Sequence, residues 1–386
     1  MFRSIPLGLH QLWHQKLRMV AATMGITFAV VLIFVQLEFR EALFASAVRY
    51  HQSMDYDLAM LSPKTDFLLV AEQFPRNRLY QAQGFDAVEQ VTPVYLSTAV
   101  WRHPTEPGRS RRIFVIGFDP TDPGFGRLIS AENHRALQIP YQVIFDRLSR
   151  LEYGPVEALM QERDGELTTE INDLEFTVVD LYGVGTSFGL DGGIITSDLN
   201  FRRMFGDRDE GAIDLGLIRL APGQDPAEVQ AMIQSRLPGD VRVLTRAEFA
   251  QMEMDHWGST TPIGYVFTFG AIMGLVVGAI IVYQILYADV QDHLEEYATL
   301  MAMGYNHHYL VGVVLQESLV LAILGFLPGL GIATVLYDIT AQATQLPMAM
   351  SINAALSVFA LTLTMCIFSG MLALRKLKTV DPAEVF

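Results

Sequence analysis

The chain has 386 residues, half of them hydrophobic, a single cysteine and a formal net charge of −15. One cysteine excludes an intrachain disulfide and leaves a cysteine-based metal site without ligands. The acidity excludes a basic nucleic-acid-binding surface, and it is concentrated: 34 of the 42 acids, against 21 of the 27 lysines and arginines, lie between Glu38 and Thr260.

Residues 1–18 carry Arg3, Lys16 and Arg18 and no acid, and lead into an uncharged apolar stretch, Met19–Leu37. A bilayer core of about 30 Å takes about 20 such residues in a helix. The run exceeds the roughly 7–15 residues of a signal-peptide core. Glu38, Arg40 and Glu41 also separate it from Ala45-Ser46-Ala47, which looks like a cleavage site. The expectation is a retained anchor whose helix continues outward, with Phe39, Leu43, Ala47 and Tyr50 on one face.

In the charged segment that follows, Asp57–Leu61 and Phe67–Ala71 read as strands, Ala87–Gln90 as a short helix and Val94–Trp101 as a strand. His103–Ser110 is a Pro/Gly turn and Arg111–Phe118 a strand. Residues 119–175 mix turns with short helices, and Glu175–Tyr182 alternates as a strand. Asp214–Leu220 reads as a strand and Asp225–Leu237 as an amphipathic helix, with Pro226 in its first turn and Val229, Ile233 and Leu237 on one face. Val241–Leu244 is a strand, and Ala247–Trp257 leads to the second apolar stretch.

The remaining apolar stretches are Tyr265–Tyr287, Tyr309–Tyr337 and Ile352–Leu374, followed by Arg375, Lys376 and Lys378. The fold class is therefore an α-helical membrane protein with four transmembrane helices, one plus three, and a large mixed α/β domain inserted between the first and second. Basic flanks stay cytoplasmic, and an even number of spans puts both ends on that side. The large domain is then external, periplasmic in a Gram-negative-type cell.

Gly270, Gly274 and Gly278 recur every fourth residue in the second span, and Gly325 and Gly329 do so in the third beside Pro328. Such strips let another helix approach closely, within one subunit or across a dimer. Glu317 lies about 12 Å along the third helix from Tyr309. A carboxylate there either serves packing and coupling or snorkels to the surface beside Gln316.

Other patterns point to chemistry only weakly. Gly185-Thr186-Ser187-Phe188-Gly189 matches the G-x-S-x-G nucleophile elbow, but that elbow needs a helix after it, and Leu190-Asp191-Gly192-Gly193 is a poor helix start. A Gly-rich turn is the plainer reading. His307-His308 and His293 do not chelate together, because adjacent helical residues point about 100° apart. No G-x-x-x-x-G-K-[S/T] occurs, so the chain has no P-loop of its own with which to hold ATP.

The stretch from Ala288 to Tyr305 is the most specific. Leu294, Tyr297, Ala298, Met301 and Ala302 form an apolar helical face, Asp292, Glu295, Glu296 and Thr299 line the other, and Gly304 is placed to end the helix. Acidic and without Lys or Arg, it suits a protein groove better than an anionic lipid surface.

On these residues the chain resembles the MacB/FtsX-type ABC permeases (type VII). The one-plus-three layout, the helix ending in Met303-Gly304 and the tail ending Lys-x-x-Asp-Pro-Ala-Glu-Val-Phe carry that pattern; Asp292-His293-Leu294, Glu296-Tyr297-Ala298-Thr299-Leu300 and Ala302-Met303-Gly304-Tyr305 are similar to the DevC branch found in cyanobacteria, as are residues 185–189 and Ile194–Phe201. Met301 departs from that branch, where a lysine is expected.

The resemblance implies a non-enzymatic permease that forms a homodimer and binds two copies of a separate ABC ATPase, which would hold ATP and Mg. It implies a HlyD-type periplasmic adaptor, a TolC-like outer-membrane duct and glycolipid or other lipid-like cargo, in a bacterial inner membrane. A lipoprotein-releasing permease and an FtsX-like regulator of a cell-wall hydrolase share the layout; a membrane-anchored hydrolase using Ser187 is the remote enzymatic reading. Under this resemblance Asp292, Leu294, Glu295, Glu296, Tyr297, Thr299, Met301 and Gly304 form the ATPase-coupling element. The expected divisions are 1–52 (N-terminus, first span and extension), 53–256 (periplasmic domain), 257–288 (second span), 289–308 (coupling helix), 309–374 (third and fourth spans) and 375–386 (tail).

Overall fold

The computed structural model describes residues 16–126, 128–187, 189–303, 307–344 and 346–375, with backbone alone at 123, 298, 301, 302, 307, 308 and 310. The chain forms two compact units. Among the described residues, one holds 16–41, 263–343 and 348–375; the other holds Ala42–Pro262 and Thr344–Pro347. Helix α1 (Lys16–Ala47) runs from the first into the second without a break.

The second unit is α/β. In chain order it contains α2 (Arg49–Ser53), β1 (Leu58–Leu61), α3 (Arg76–Gln83), β2 (Val88–Arg102), β3 (Ser110–Phe118), α4 (Ala131–Ala136), β4 (Gln142–Asp146), α5 (Val156–Glu162), β5 (Leu167–Ile171), β6 (Leu174–Tyr182), β7 (Gly193–Ser197), α6 (Asp198–Met204), β8 (Leu215–Leu220), α7 (Pro226–Arg236), β9 (Arg242–Thr245) and α8 (Arg246–Asp255). The strands form one nine-stranded sheet in the order β9-β1-β8-β2-β3-β7-β4-β6-β5. β3–β7 and β4–β6 pair parallel. A bridge from Trp101 to Ile171 joins β5 back to the long β2.

Alternation along β2 and β3 builds a core on each face of the sheet. Tyr95, Ala99, Ile113 and Val115 point to the core covered by α3, α5, α6 and α7. Val94, Leu96, Phe114 and Ile116 point to the core closed by Tyr50 of α2 and Phe249 of α8. Helix starts follow local chemistry. Asp225 caps α7 through the Ala227 N–H with Pro226 in the first turn, and Thr245 and Glu248 form a reciprocal capping box on α8.

Two expected elements differ. Phe67–Ala71 is not a strand: Leu68–Val70 is a 3-10 turn, with the Leu68 N–H donating to the Glu253 carboxylate of α8 at 3.0 Å rather than to a strand. Ala87–Gln90 is not a helix, because Val88 and Gln90 pair in the ladder with Leu220 and Arg219. Within 119–175, expected as turns and helices, lie two more strands, β4 and β5.

The other unit is helical: the membrane part of α1, α9 (Pro262–Asp292), α10 (Leu294–Ala302), α11 (His307–Thr344) and α12 (Ile352–Arg375). α1, α9, α11 and α12 are each long and apolar enough to cross a bilayer. This one-plus-three layout around a mixed α/β domain is the expected fold class.

Candidate coupling site

The Ala288–Tyr305 stretch forms a short helix between two long ones. α9 ends at Asp292, His293 turns the chain with its backbone N–H donating to the Asp289 carbonyl at 3.2 Å, and the Tyr297 N–H donates to the His293 carbonyl at 3.0 Å as α10 begins. Tyr297, 2% exposed, anchors α10 in an apolar cluster with Val290 of α9, Val314 of α11 and Leu374 of α12. Leu294 and Leu300 pack against the same cluster. Burial of one large aromatic side chain supplies about 1.5–3 kcal/mol toward holding the helix in place.

The opposite face is open. Glu295, Glu296 and Thr299 are exposed, and the Thr299 hydroxyl donates to the Glu295 carbonyl at 2.9 Å, within the helix. Asp292 differs from them: it forms an ion pair with Arg18 of α1. Gly304 and the Met301 side chain lie outside the described positions. Sequence reasoning missed Val290, Val314, Leu374 and Leu300 as the seat, and Asp289 and Arg18 beside it. Asp289 was legible as an acid at the end of an apolar run, but ending the span at Tyr287 placed it in solvent.

The glycine strips face α1 of the same chain. A Cβ on Gly270 would meet Gln36, one on Gly274 would meet Leu32 and Ile33, and one on Gly278 would lie 2.7 Å from Cβ of Ala29 and 2.6 Å from Sδ of Met365. On α11, a Cβ on Gly325 would lie 2.5 Å from Cβ of Ile26, and one on Gly329 would lie 2.9 Å from Cβ of Val30. The Thr27 hydroxyl donates to the Gly325 carbonyl at 3.1 Å. Glu317 does not snorkel; it is fully buried.

The G-x-S-x-G segment joins β6 to β7, strand to strand, so no helix follows the serine as an elbow requires. Gly185 has φ +94°. Its N–H and that of Val184 donate to buried Asp146 at 2.7 and 3.3 Å, and the Leu148 N–H does so at 3.0 Å. Burial raises the Asp146 carboxyl above the ordinary range, and these donors and Arg49 pull it back. The Tyr50 and Tyr182 hydroxyls meet at 3.3 Å, and a Cβ on Gly193 would strike both. The glycines are therefore needed for packing around a buried carboxylate. Among the described residues no group of three His, Cys, Asp or Glu is placed to hold a metal.

Residues 268–382 match the family of the FtsX-like permease C-terminal domain. Over that stretch the chain is similar to FtsX-like permeases. The matched stretch takes in α10 and the α9, α11 and α12 residues that seat it, and with them the Asp292–Tyr305 motif of the MacB/FtsX resemblance. No curated protein matches the chain. Two solved structures are similar to parts of it. One is the periplasmic region of MacB from Actinobacillus actinomycetemcomitans, 9% identical over 52% of this chain and 94% of that one, with a TM-score of 0.36. The other is the extracellular domain of the ABC-type transporter YknZ from Gram-positive bacteria, 11% identical over 48% and 98%, with a TM-score of 0.33.

Proposed function

We propose that this FtsX-like permease is the membrane subunit of an ABC exporter and that α10 is where it takes up work from a separate ATPase. The observation that carries the reading is the two-sided α10: Tyr297 is buried in a seat made by three neighbouring helices, while Glu295 and Glu296 stand exposed beside it. A helix held so firmly on one side passes a push on its free side into α9, α11 and α12. The absence of a P-loop in the sequence agrees with borrowed energy.

In this reading the permease is a homodimer in a bacterial inner membrane with both termini cytoplasmic, serving two ATPase copies that bind ATP and Mg. The α/β unit stands in the periplasm and works with a HlyD-type adaptor and a TolC-like duct on lipid-like cargo, as in DevC-type systems. What supports the finer assignment is the Asp292–Tyr305 motif together with residues 185–189 and Ile194–Phe201. The test is Glu296→Arg in cells. Export should fall at least tenfold while the protein still reaches the membrane and ATP hydrolysis continues; undiminished export would overturn the assignment.

A further inference from the structure

Two acids meet inside the helical unit. Asp289 lies one turn before the end of α9, and Glu317 lies on α11 one turn beyond Val314 of the α10 seat. Asp289 is 6% exposed and Glu317 not at all. Their carboxyl groups face each other. Among the described residues, neither Glu317 oxygen nor Oδ2 of Asp289 has an N–H or hydroxyl donor. A hydrogen bond needs a proton, and two carboxylates have none between them. Two unit charges in contact away from water would also repel each other strongly.

The groups facing the pair decide which acid holds the proton. Asp289 faces His293, whose Nδ1 lies 3.6 Å from Oδ1 and 2.9 Å from the Asp289 carbonyl, and it also faces Arg18 of α1 and Asp292. Among the described residues, the one titratable group that faces Glu317 is Asp289. Arg18 thus favours charge on Asp289, with Asp292 opposing, while no cation faces Glu317 among the described residues, and Glu317 is the donor.

We infer that Asp289 and Glu317 share one proton, and that this proton clasps α9 to α11 at the base of the hairpin that carries α10. Glu317 donates its O–H to the Asp289 carboxylate. When that proton leaves to solvent, two buried like charges face each other, the helices part and the Tyr297 seat opens. On the proposed orientation the clasp lies on the cytoplasmic side, beside the coupling helix.

The test uses the full chain in lipid nanodiscs without ATPase, so its failure is distinct from failure of the exporter reading. Infrared spectroscopy at neutral pH should show the C=O band of a protonated carboxylic acid, lost in Glu317→Gln. Spin labels at Gln284 and Leu319 should move apart between neutral and strongly alkaline pH in the native sequence, but in neither Glu317→Gln nor Asp289→Asn. Absence of the band, its persistence in Glu317→Gln, or equal movement in all three proteins would overturn the inference. So would a band that sodium or potassium chloride removes at constant pH, since that would make the pair a cation site.

Discussion

Asp146 is the kind of residue whose loss exposes what it satisfies. It accepts three backbone N–H groups beneath a loop that the sequence alone offers as a nucleophile site. Asp146→Ala strands those donors at about 1–3 kcal/mol for each one left buried. The expected loss is roughly 3 kcal/mol in thermal unfolding of the purified chain, whereas Ser187→Ala should be nearly silent. Asp214 is a second case. Its carboxylate is 2% exposed, accepts from the Leu96 N–H at 2.7 Å and is held by Arg208 at 2.5 Å. Burial still raises the Asp214 carboxyl above its ordinary range, with Arg208 opposing. Arg208→Met leaves that charge alone and should cost about 3–5 kcal/mol. Glu248 runs the other way. Its carboxylate accepts from the Thr245 N–H, which lowers its proton affinity below the ordinary value of 4.5. A depressed carboxyl stabilises the fold above its unfolded value and stops doing so as pH falls through the folded one. The stability gap between the native chain and Glu248→Ala, about 0.5–1 kcal/mol for an exposed cap, should therefore be present at neutral pH and shrink below about pH 4.5.

Among the elements, the spans and α10 were legible because their signals are long and periodic: apolar runs of bilayer length and a helical face with acids opposite. β4, β5 and the start of β2 were not, since short strands in a curled sheet are decided by partners far along the chain. Val88 is a strand residue because Leu220 lies beside it. The glycine strips were legible as close-packing faces, but not what packs on them, which α1 supplies. That contact gives an internal control. Gly325→Leu and Gly329→Leu force α1 and α11 apart and should cost about 1–3 kcal/mol each, seen as a lower unfolding temperature in nanodiscs. Gly331 has open space where its Cβ would be, and Gly331→Leu should be tolerated. Equal effects at all three positions would contradict the packing.

At the scale of the molecule, the chain joins an α/β unit to a helical unit through α1; residues 268–382 of it match the FtsX-like permease C-terminal domain, and the sequence has no P-loop motif. Under the proposed function the partner ATPase meets the helical unit at a face that is exposed yet backed, as α10 is. Cross-linking tests this most directly. With Cys366→Ser as background, a single cysteine is placed at Thr299, beside Glu295 and Glu296, or at Leu151 on the α/β unit, which is 88% exposed. The account predicts that Thr299→Cys cross-links to a co-expressed ABC ATPase and Leu151→Cys does not. An ATPase captured from Leu151→Cys, or from neither position while the two proteins co-purify, would contradict it.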